Sequence, residues 1–321
     1  MKRRHLLQCA ASAWPLFPRI AAANTPLRVI VPFAPGGPSD VVLRAIEPLW
    51  RQRTGQPLVV EHRGGASGTL GAEAARRAKP DGHTLLFAPA DVLVNNTAIF
   101  HALPYDPLRD FQPIVQIGPI PLVLAVPASV PADSLTAFAA WATGRRIGYG
   151  SWGEGSHAHL LGEALLVRRL RLDAVHAPYR GLGPMAQDLI GGQVSAAFVV
   201  PPAAAPHVKA GRLRALAVTG DRRSTQLPQA PTLPELGHAD PVFRLRQWAA
   251  FLAPARMPAE TLAQLEVTLT DVLDDARVRE TLLVAGFELD RVLGSDEARA
   301  SLRADLALVP ALIRELGVPQ Q

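Results

Sequence analysis

Two glycine-rich turns, each set between a β-type run and a helical pattern, constrain this chain more than any other feature of its sequence. The first turn contains Gly36 and Gly37 and follows the apolar run at residues 27–33. The second occupies residues 63–68 and follows the run at 57–61. Glycine leaves backbone N–H groups uncovered, and the start of a helix adds about half a positive charge. Each turn is therefore suited to hold a carboxylate or a phosphate.

Strand-like runs and helical patterns alternate along most of the chain, which is typical of α/β layering around mainly parallel sheets. Strands are predicted at residues 27–33, 57–61, 84–88, 146–149, 174–177, 195–200, 213–219 and 247–253. Helices are predicted at residues 39–54, 67–78, 134–142, 156–169 and 184–190, and again from about residue 258 to the C-terminus.

This order of elements predicts two lobes joined by two crossings, near residues 119–126 and 244–253. Lobe one is expected to comprise residues 24–120 and 246–321, and lobe two residues 121–245. We expect a two-lobed α/β clamshell, in which each lobe is a mainly parallel sheet flanked by helices. Two crossings form a hinge and leave a cleft, which is a usual place for a small ligand.

The N-terminal residues 1–23 have the pattern of an export signal. A basic start is followed by an apolar stretch at residues 6–17 and by small residues up to Ala23. That stretch is shorter than the roughly 20 residues that span a bilayer. The pair Arg3 and Arg4 leaves twin-arginine export open beside the general route. We expect cleavage near Ala23 and a periplasmic protein.

Removal of this signal changes what the composition implies. Cys9 is the only cysteine, so the mature chain would have no disulfide and no cysteine metal site. Of the 33 Lys and Arg residues, four lie in the signal, which leaves 29 against 28 Asp and Glu residues. The high pI is therefore mostly a property of the signal, and we expect no nucleic-acid partner.

The sequence does not contain the residue patterns of common catalytic sites. Ser67, Ser151 and Ser156 all lack the G-x-S-x-G frame of a nucleophile elbow. His157 and His159 are two residues apart on a predicted helix, so they point in different directions and would not share a metal. We therefore expect no enzymatic activity, no metal and no cofactor. The alternative is an exported hydrolase that uses Ser156 with one of these histidines.

A weak dinucleotide fingerprint occurs in lobe two, where Gly148, Gly150 and Gly153 satisfy G-x-G-x-x-G after a strand. The acid about twenty residues further on is Asp173, which precedes the next strand instead of following it. A ribose would be met at the carboxyl end of that strand, so this position argues against dinucleotide binding.

From about residue 27 to residue 317 the chain resembles the Bug-type periplasmic receptors of tripartite tricarboxylate transporters. The likeness rests on the stretches at residues 31–40, 63–68, 79–86, 155–160, 178–181, 209–219 and 251–254. It implies a clamshell that binds a small organic acid, largely through backbone amides and bridging waters, and delivers it to a membrane permease. We expect a monomer. A sensor that presents its closed form to another membrane partner is an alternative.

The resemblance also implies which positions contact the ligand. In lobe one they are Phe33, Ala34, Gly36, Gly37, Ser39, Arg63, Ala66, Ser67 and Gly68. In lobe two they are Ser151, Ser156, His157, Tyr179, Arg180 and Gly181.

Some positions depart from the family pattern. Ser195 and Val199 stand where relatives often carry acids, and this argues against amino-acid ligands. His62 replaces an asparagine and Ser67 replaces a glycine. The identity of the ligand therefore does not follow from the resemblance.

Overall fold

A computed structural model of the protein describes residues 25–245, 247–284 and 291–320. The predicted export signal, residues 1–23, lies outside the described residues. Two five-stranded sheets, each flanked by helices, make up the described part of the chain. The two-lobed α/β fold expected from the sequence is confirmed. We call the sheet that contains the first strand, with its helices, lobe one, and the other lobe two.

The sheet of lobe one has the strand order β2-β1-β3-β10-β4, with strands numbered along the chain. Its strands are β1 (Leu27–Val31), β2 (Leu58–His62), β3 (Thr84–Pro89), β4 (Phe111–Ile120) and β10 (Gln247–Pro254). β1 pairs in parallel with β2 and β3, whereas β10 is antiparallel to both β3 and β4. One strand of this sheet is therefore reversed.

The sheet of lobe two repeats this arrangement in the order β7-β6-β8-β5-β9. Its strands are β5 (Val123–Pro127), β6 (Ile147–Ser151), β7 (Ala174–Pro178), β8 (Ala196–Val199) and β9 (Leu213–Val218). β6 pairs in parallel with β7 and β8, and β5 is antiparallel to β8 and β9. Both sheets are thus mixed, because β5 and β10 are the strands that enter from the other lobe.

The chain passes between the sheets twice. It leaves lobe one between β4 and β5, across residues 121–122, and returns between β9 and β10. These passages fall within or beside the predicted crossings. Whether the predicted lobes move as units about them stays a prediction.

Ten α-helices surround the sheets within the described residues. They are α1 (Pro38–Thr54), α2 (Thr69–Arg76), α3 (Asn96–Ile99), α4 (Leu135–Ala142), α5 (His157–Gly162), α6 (Leu182–Ile190), α7 (Pro201–Lys209), α8 (Ala259–Asp274), α9 (Ala276–Val284) and α10 (Ser295–Glu315). π-Helical turns at Asp91–Asn95 and Glu163–Arg169 precede α3 and follow α5. α8 and α10 pack against β4 of the lobe-one sheet.

Sequence analysis missed the helical segment at residues 91–99 and helix α7. α7 begins with Pro201 and also contains Pro206. Proline is tolerated in the first helical turn, where its missing N–H has no acceptor in any case. The proline-rich sequence therefore marked the start of a helix and not a loop.

Helix α1 fixes the position of the first glycine-rich turn. Proline occupies its first position, and Gly55 ends it in the left-handed conformation. Its inner face buries Val42, Leu43, Ile46 and Trp50. This apolar stripe holds the helix on the sheet, with its N-terminus at the carboxyl end of β1.

Lobe one has an aromatic contact at its centre. Phe87 on β3 and Phe251 on β10 are both buried, and their ring centroids lie 4.4 Å apart.

Among the described residues, the helices are all too short or too polar to cross a membrane.

Candidate functional site

The first glycine-rich turn connects β1 to α1 and presents an open stretch of backbone. Gly36 has a φ of +90°, and Gly37 is the extended N-cap residue of α1. No side chain caps this helix, and a Cβ placed on either glycine would meet no atom within 4 Å. The start of a 17-residue helix therefore faces open space.

One N–H of this turn is taken by the protein itself. The backbone N–H of Gly36 donates to the Asp40 carboxylate, whose other oxygen lies 3.0 Å from Nε2 of His62. Nδ1 of His62 lies 2.9 Å from the carbonyl oxygen of Phe33. Both ring nitrogens of His62 thus face oxygen atoms of the first turn and of the start of α1. The expectation that Gly36 offers its amide to a ligand needs correction for this conformation.

The N–H groups of Gly37 and Ser39 in this turn remain open. Asp40 N–H donates back to Gly37 O at 3.0 Å, and Pro38 has no N–H. Within the described chain, the N–H of Gly37 has no acceptor in hydrogen-bond geometry. The N–H of Ser39 lies in the first helical turn, where intrahelical acceptors are lacking. The anion-binding capacity of the turn therefore rests on Gly37 and Ser39.

The second glycine-rich turn touches the first but is engaged by lobe two. A Cβ on Gly64 would lie 3.3 Å from the backbone nitrogen of Ala34, so the two turns meet backbone to backbone. Ala66 and Ser67 adopt left-handed φ values of 45° and 50°. The Ser67 hydroxyl donates to the carbonyl oxygen of Glu154 at 3.2 Å. This turn thus contributes an interlobe contact.

A cavity of about 100 Å³ lies between the lobes. Its walls come from the first turn, the strands at the hinge and the start of α6. Five predicted site residues line it: Phe33, Ala34, Gly37, Ser39 and Gly181. The lining also includes residues that sequence analysis missed, namely Trp152, Leu182, Gly183, Pro184, Val200, Gln247, Trp248 and Ala249. The Gly-Leu-Gly-Pro run at the start of α6 could have indicated these residues, because it is a glycine-rich turn before a helix, as in lobe one.

The other predicted site residues do not line this cavity. They are Gly36, Arg63, Ala66, Ser67, Gly68, Ser151, Ser156, His157, Tyr179 and Arg180. Arg63 is half-exposed and pairs with Glu61 of the preceding strand, β2. Arg180 is exposed. In this conformation neither guanidinium supplies positive charge to the cavity.

Several of these lobe-two side chains bind the protein itself, which corrects their expected role as direct contacts in this conformation. The Ser156 hydroxyl accepts the N–H of His159 at 3.3 Å and so caps α5. The Tyr179 hydroxyl donates to Asp188 at 2.8 Å. Whether any of them reaches a ligand in another conformation stays a prediction.

Asp91, which directly follows β3 and Ala90, joins the two lobes. It is buried, and one carboxylate oxygen accepts Trp152 Nε1–H at 2.9 Å and the Gln247 amide at 3.3 Å. The other oxygen accepts the backbone N–H of His157 at 3.2 Å and contacts its Nδ1. A lobe-one carboxylate therefore holds two lobe-two residues. An acid at the carboxyl end of a buried strand was the sequence signal for it.

A histidine cluster lies beside this contact. The rings of His159 and His176 stack at 3.7 Å, and ligand atoms of both lie within 4.8 Å of the Glu154 carboxylate. Burial lowers the pKa of His159 to about 4, and burial with the neighbouring His159 lowers the pKa of His176 to about 3. Both rings are thus neutral at pH 7. Two imidazoles and a carboxylate are a donor set that suits zinc, although Gly155 N–H already occupies Nδ1 of His159 at 3.0 Å.

A serine–histidine–acid arrangement occurs in the same cluster. Ser151 Oγ lies 2.7 Å from His176 Nε2, and His176 Nδ1 lies 3.5 Å from Glu154. Ser151 is fully buried and does not line the cavity, so no substrate carbonyl reaches its oxygen. The predicted alternative with Ser156 is not assembled, because the described contact of its hydroxyl is a backbone N–H.

The chain matches known proteins over most of its length. The profile of the family described as tripartite tricarboxylate transporter family receptor matches residues 42–318. Protein BugT of Bordetella pertussis is 33% identical over 297 residues, which cover 91% of this chain and 89% of that protein.

Solved structures are similar to this chain over most of its length. Rpa4515 of R. palustris, solved with adipate, is 27% identical with a TM-score of 0.87, covering 94% of this chain and 100% of that one. MatC of Rhodopseudomonas palustris, solved with bound malate, is 28% identical with a TM-score of 0.79, covering 92% and 100%.

Proposed function

The chain belongs to the tripartite tricarboxylate transporter receptor family, and from this membership and the cleft we propose that it captures a small carboxylate for a membrane transporter. Two structural neighbours hold adipate and malate, which are both carboxylates. We propose the same class of ligand for the cavity between the lobes. Binding without turnover is the function that the buried position of Ser151 supports.

The observation that carries this proposal is the uncapped start of α1 on the cavity wall. Gly37 and Ser39 line the cavity, and their N–H groups are the open donors of the first turn. A carboxylate placed there accepts two charge-assisted bonds, each worth about 1.5–3 kcal/mol, and gains from the helix dipole. No cationic side chain is needed for this mode of binding.

Closure of the lobes completes the proposed mechanism. The cavity has walls from both lobes, so a bound ligand contacts both and stabilises the closed arrangement. Asp91 adds protein–protein bonds to that arrangement through Trp152 and His157. The ligand thereby shifts the population toward the closed form, which is the form that the permease would receive.

Location and delivery are also part of the proposal. The N-terminal pattern of residues 1–23 supports export to the periplasm, and the family supports a permease partner. Uptake of a radiolabelled carboxylate by cells with and without the gene tests delivery. Equal uptake in both would favour a sensing role over transport.

Gly37→Val tests the binding mode. Gly37 has an ordinary φ of −89°, and a Cβ there meets no atom within 4 Å, so valine fits the fold while covering the open amides. We expect isothermal titration calorimetry to show carboxylate binding weakened by at least 30-fold, since two bonds are lost. Ala140→Val, on the exposed face of α4, serves as the control and should bind normally. Unchanged affinity in a folded Gly37→Val protein would contradict the proposal.

A further inference from the structure

We propose that the ligand is a carboxylate with an unsubstituted hydrocarbon body, one that carries charge only at its ends. This inference rests on the proposed function and names the chemical class of its ligand. It separates such acids from hydroxy acids, amino acids and branched tricarboxylates such as citrate.

The cavity walls are hydrocarbon from both lobes. Lobe one contributes side chains that include Phe33 and Phe87, and lobe two contributes Trp152, Leu182 and Val200. An apolar ligand body gains about 0.8 kcal/mol for each methylene that these walls cover. The cavity volume of about 100 Å³ is about two thirds of that of an apolar cavity of about 150 Å³ that accommodates benzene. The cavity is therefore of a size for a small ligand body of several carbons.

The indole N–H groups of both tryptophans on these walls are engaged by the protein. Trp152 Nε1–H donates to Asp91 at 2.9 Å, and Trp248 Nε1–H donates to Asp305 at 2.6 Å. Both indoles thus turn their polar edge to the protein. The Gln247 amide also donates to Asp91, whereas its Oε1 is buried without a hydrogen-bond partner and exposes no surface to the cavity. A ligand hydroxyl or amine would find no exposed partner among these three side chains.

The charged groups on the cavity walls also favour a ligand with an uncharged body. Among the described residues, which do not include residue 246, Asp40 is the one ionisable residue that lines the cavity, and its charge is negative. Arg63 pairs with Glu61, outside the lining. A carboxylate at mid-body would be desolvated without a cation, which is strongly unfavourable. The helix starts on the cavity wall that no side chain caps are those of α1, at Gly37 and Ser39 in lobe one, and of α6 in lobe two.

Matched ligand pairs test this inference by calorimetry on the purified protein. The pairs are glutarate with 3-hydroxyglutarate, glutarate with glutamate, benzoate with 3-hydroxybenzoate, and glutarate with tricarballylate, which adds a carboxyl to the middle carbon. We expect each added hydroxyl, amine or carboxyl to weaken binding by about tenfold or more. Within a homologous series each methylene should tighten binding by about fourfold until the cavity is full.

A variant supplies the missing polar partner. Leu182→Asn places an amide on the cavity wall, and Leu236→Asn makes the same change at an exposed position elsewhere in lobe two. We expect the preference for glutarate over 3-hydroxyglutarate to fall at least threefold in Leu182→Asn. The preference should be unchanged in Leu236→Asn.

The two failures are distinguishable. If 3-hydroxyglutarate, glutamate or tricarballylate binds as tightly as glutarate, the hydrocarbon-body inference is wrong while the receptor function stands. If the folded protein, freed of retained ligand, binds none of these acids, the proposed function itself is wrong.

Discussion

Asp91→Asn isolates the contribution of the interlobe contact to ligand affinity. The carboxylate of Asp91 is buried and accepts donors from two lobe-two residues, Trp152 and His157. Asparagine preserves the shape and removes the negative charge. The lobe-one bonds of Gln247 to the same carboxylate weaken as well, but they do not join the lobes. The effect on closure therefore comes from the two lobe-two residues.

The expected magnitude follows from the difference between charged and neutral hydrogen bonds. A bond to a charged group is worth about 1.5–3 kcal/mol, against about 0.5–1.5 kcal/mol for a neutral one. Loss of about 1 kcal/mol at each of two residues lowers the stability of the closed form by about 2 kcal/mol. That corresponds to about 30-fold in the closed-to-open ratio. If the free protein is mostly open, ligand affinity falls by the same factor.

Calorimetry with a carboxylate that binds the native protein measures this change, and small-angle X-ray scattering reports closure. Asp173→Asn provides the control, because it removes the same charge from an exposed position in lobe two. We expect normal affinity for the control and about 30-fold weaker binding for Asp91→Asn. Full affinity and full closure in a folded Asp91→Asn protein would refute the role assigned to this contact.

Three further outcomes are expected. Arg63→Ala should weaken ligand binding by no more than about threefold in calorimetry, because Arg63 is half-exposed and paired with Glu61. A loss of affinity larger than that of Gly37→Val would show that side-chain charge contributes most to ligand binding. The free energy of unfolding should fall as the pH drops from about 6.5 toward 4, because burial lowers the pKa of His159 and His176, so the unfolded chain takes up protons that the folded protein does not. Burial raises the pKa of Glu154, which opposes this trend, and we expect a net loss of stability by pH 4.5 in urea titrations; an equal loss in a double variant with glutamine at both histidines would show that other groups cause it. Phe251→Ala should destabilise lobe one by about 3–5 kcal/mol in thermal unfolding, whereas the exposed Val267→Ala should stay within about 0.5 kcal/mol, and equal effects would contradict the packing described for Phe87 and Phe251.

The sequence predicted what local patterns determine. β1 was expected at residues 27–33 and is found at Leu27–Val31, and α1 was expected from residue 39 and begins at Pro38. Alternating strand and helix patterns with glycine turns carry that information within a dozen residues. Strand direction is different, because it depends on which neighbour a strand joins. The reversal of β5 and β10 was therefore not predicted.

The cavity was predicted in part for the same reason. Gly37 and Ser39 belong to a turn whose chemistry is local. Trp152 and Leu182 reach the cavity because lobe two packs over lobe one, and no local pattern encodes that. The pairing of His159 with His176 depends likewise on a helix and a strand that meet only in the fold.

A crystal structure of the protein grown with glutarate or benzoate addresses the central claim most directly. We predict one carboxylate group within about 3 Å of the backbone nitrogens of Gly37 and Ser39, with the hydrocarbon body against Trp152. A carboxylate bound instead to the guanidinium of Arg63 or Arg180, with the Gly37 turn empty, would contradict the account.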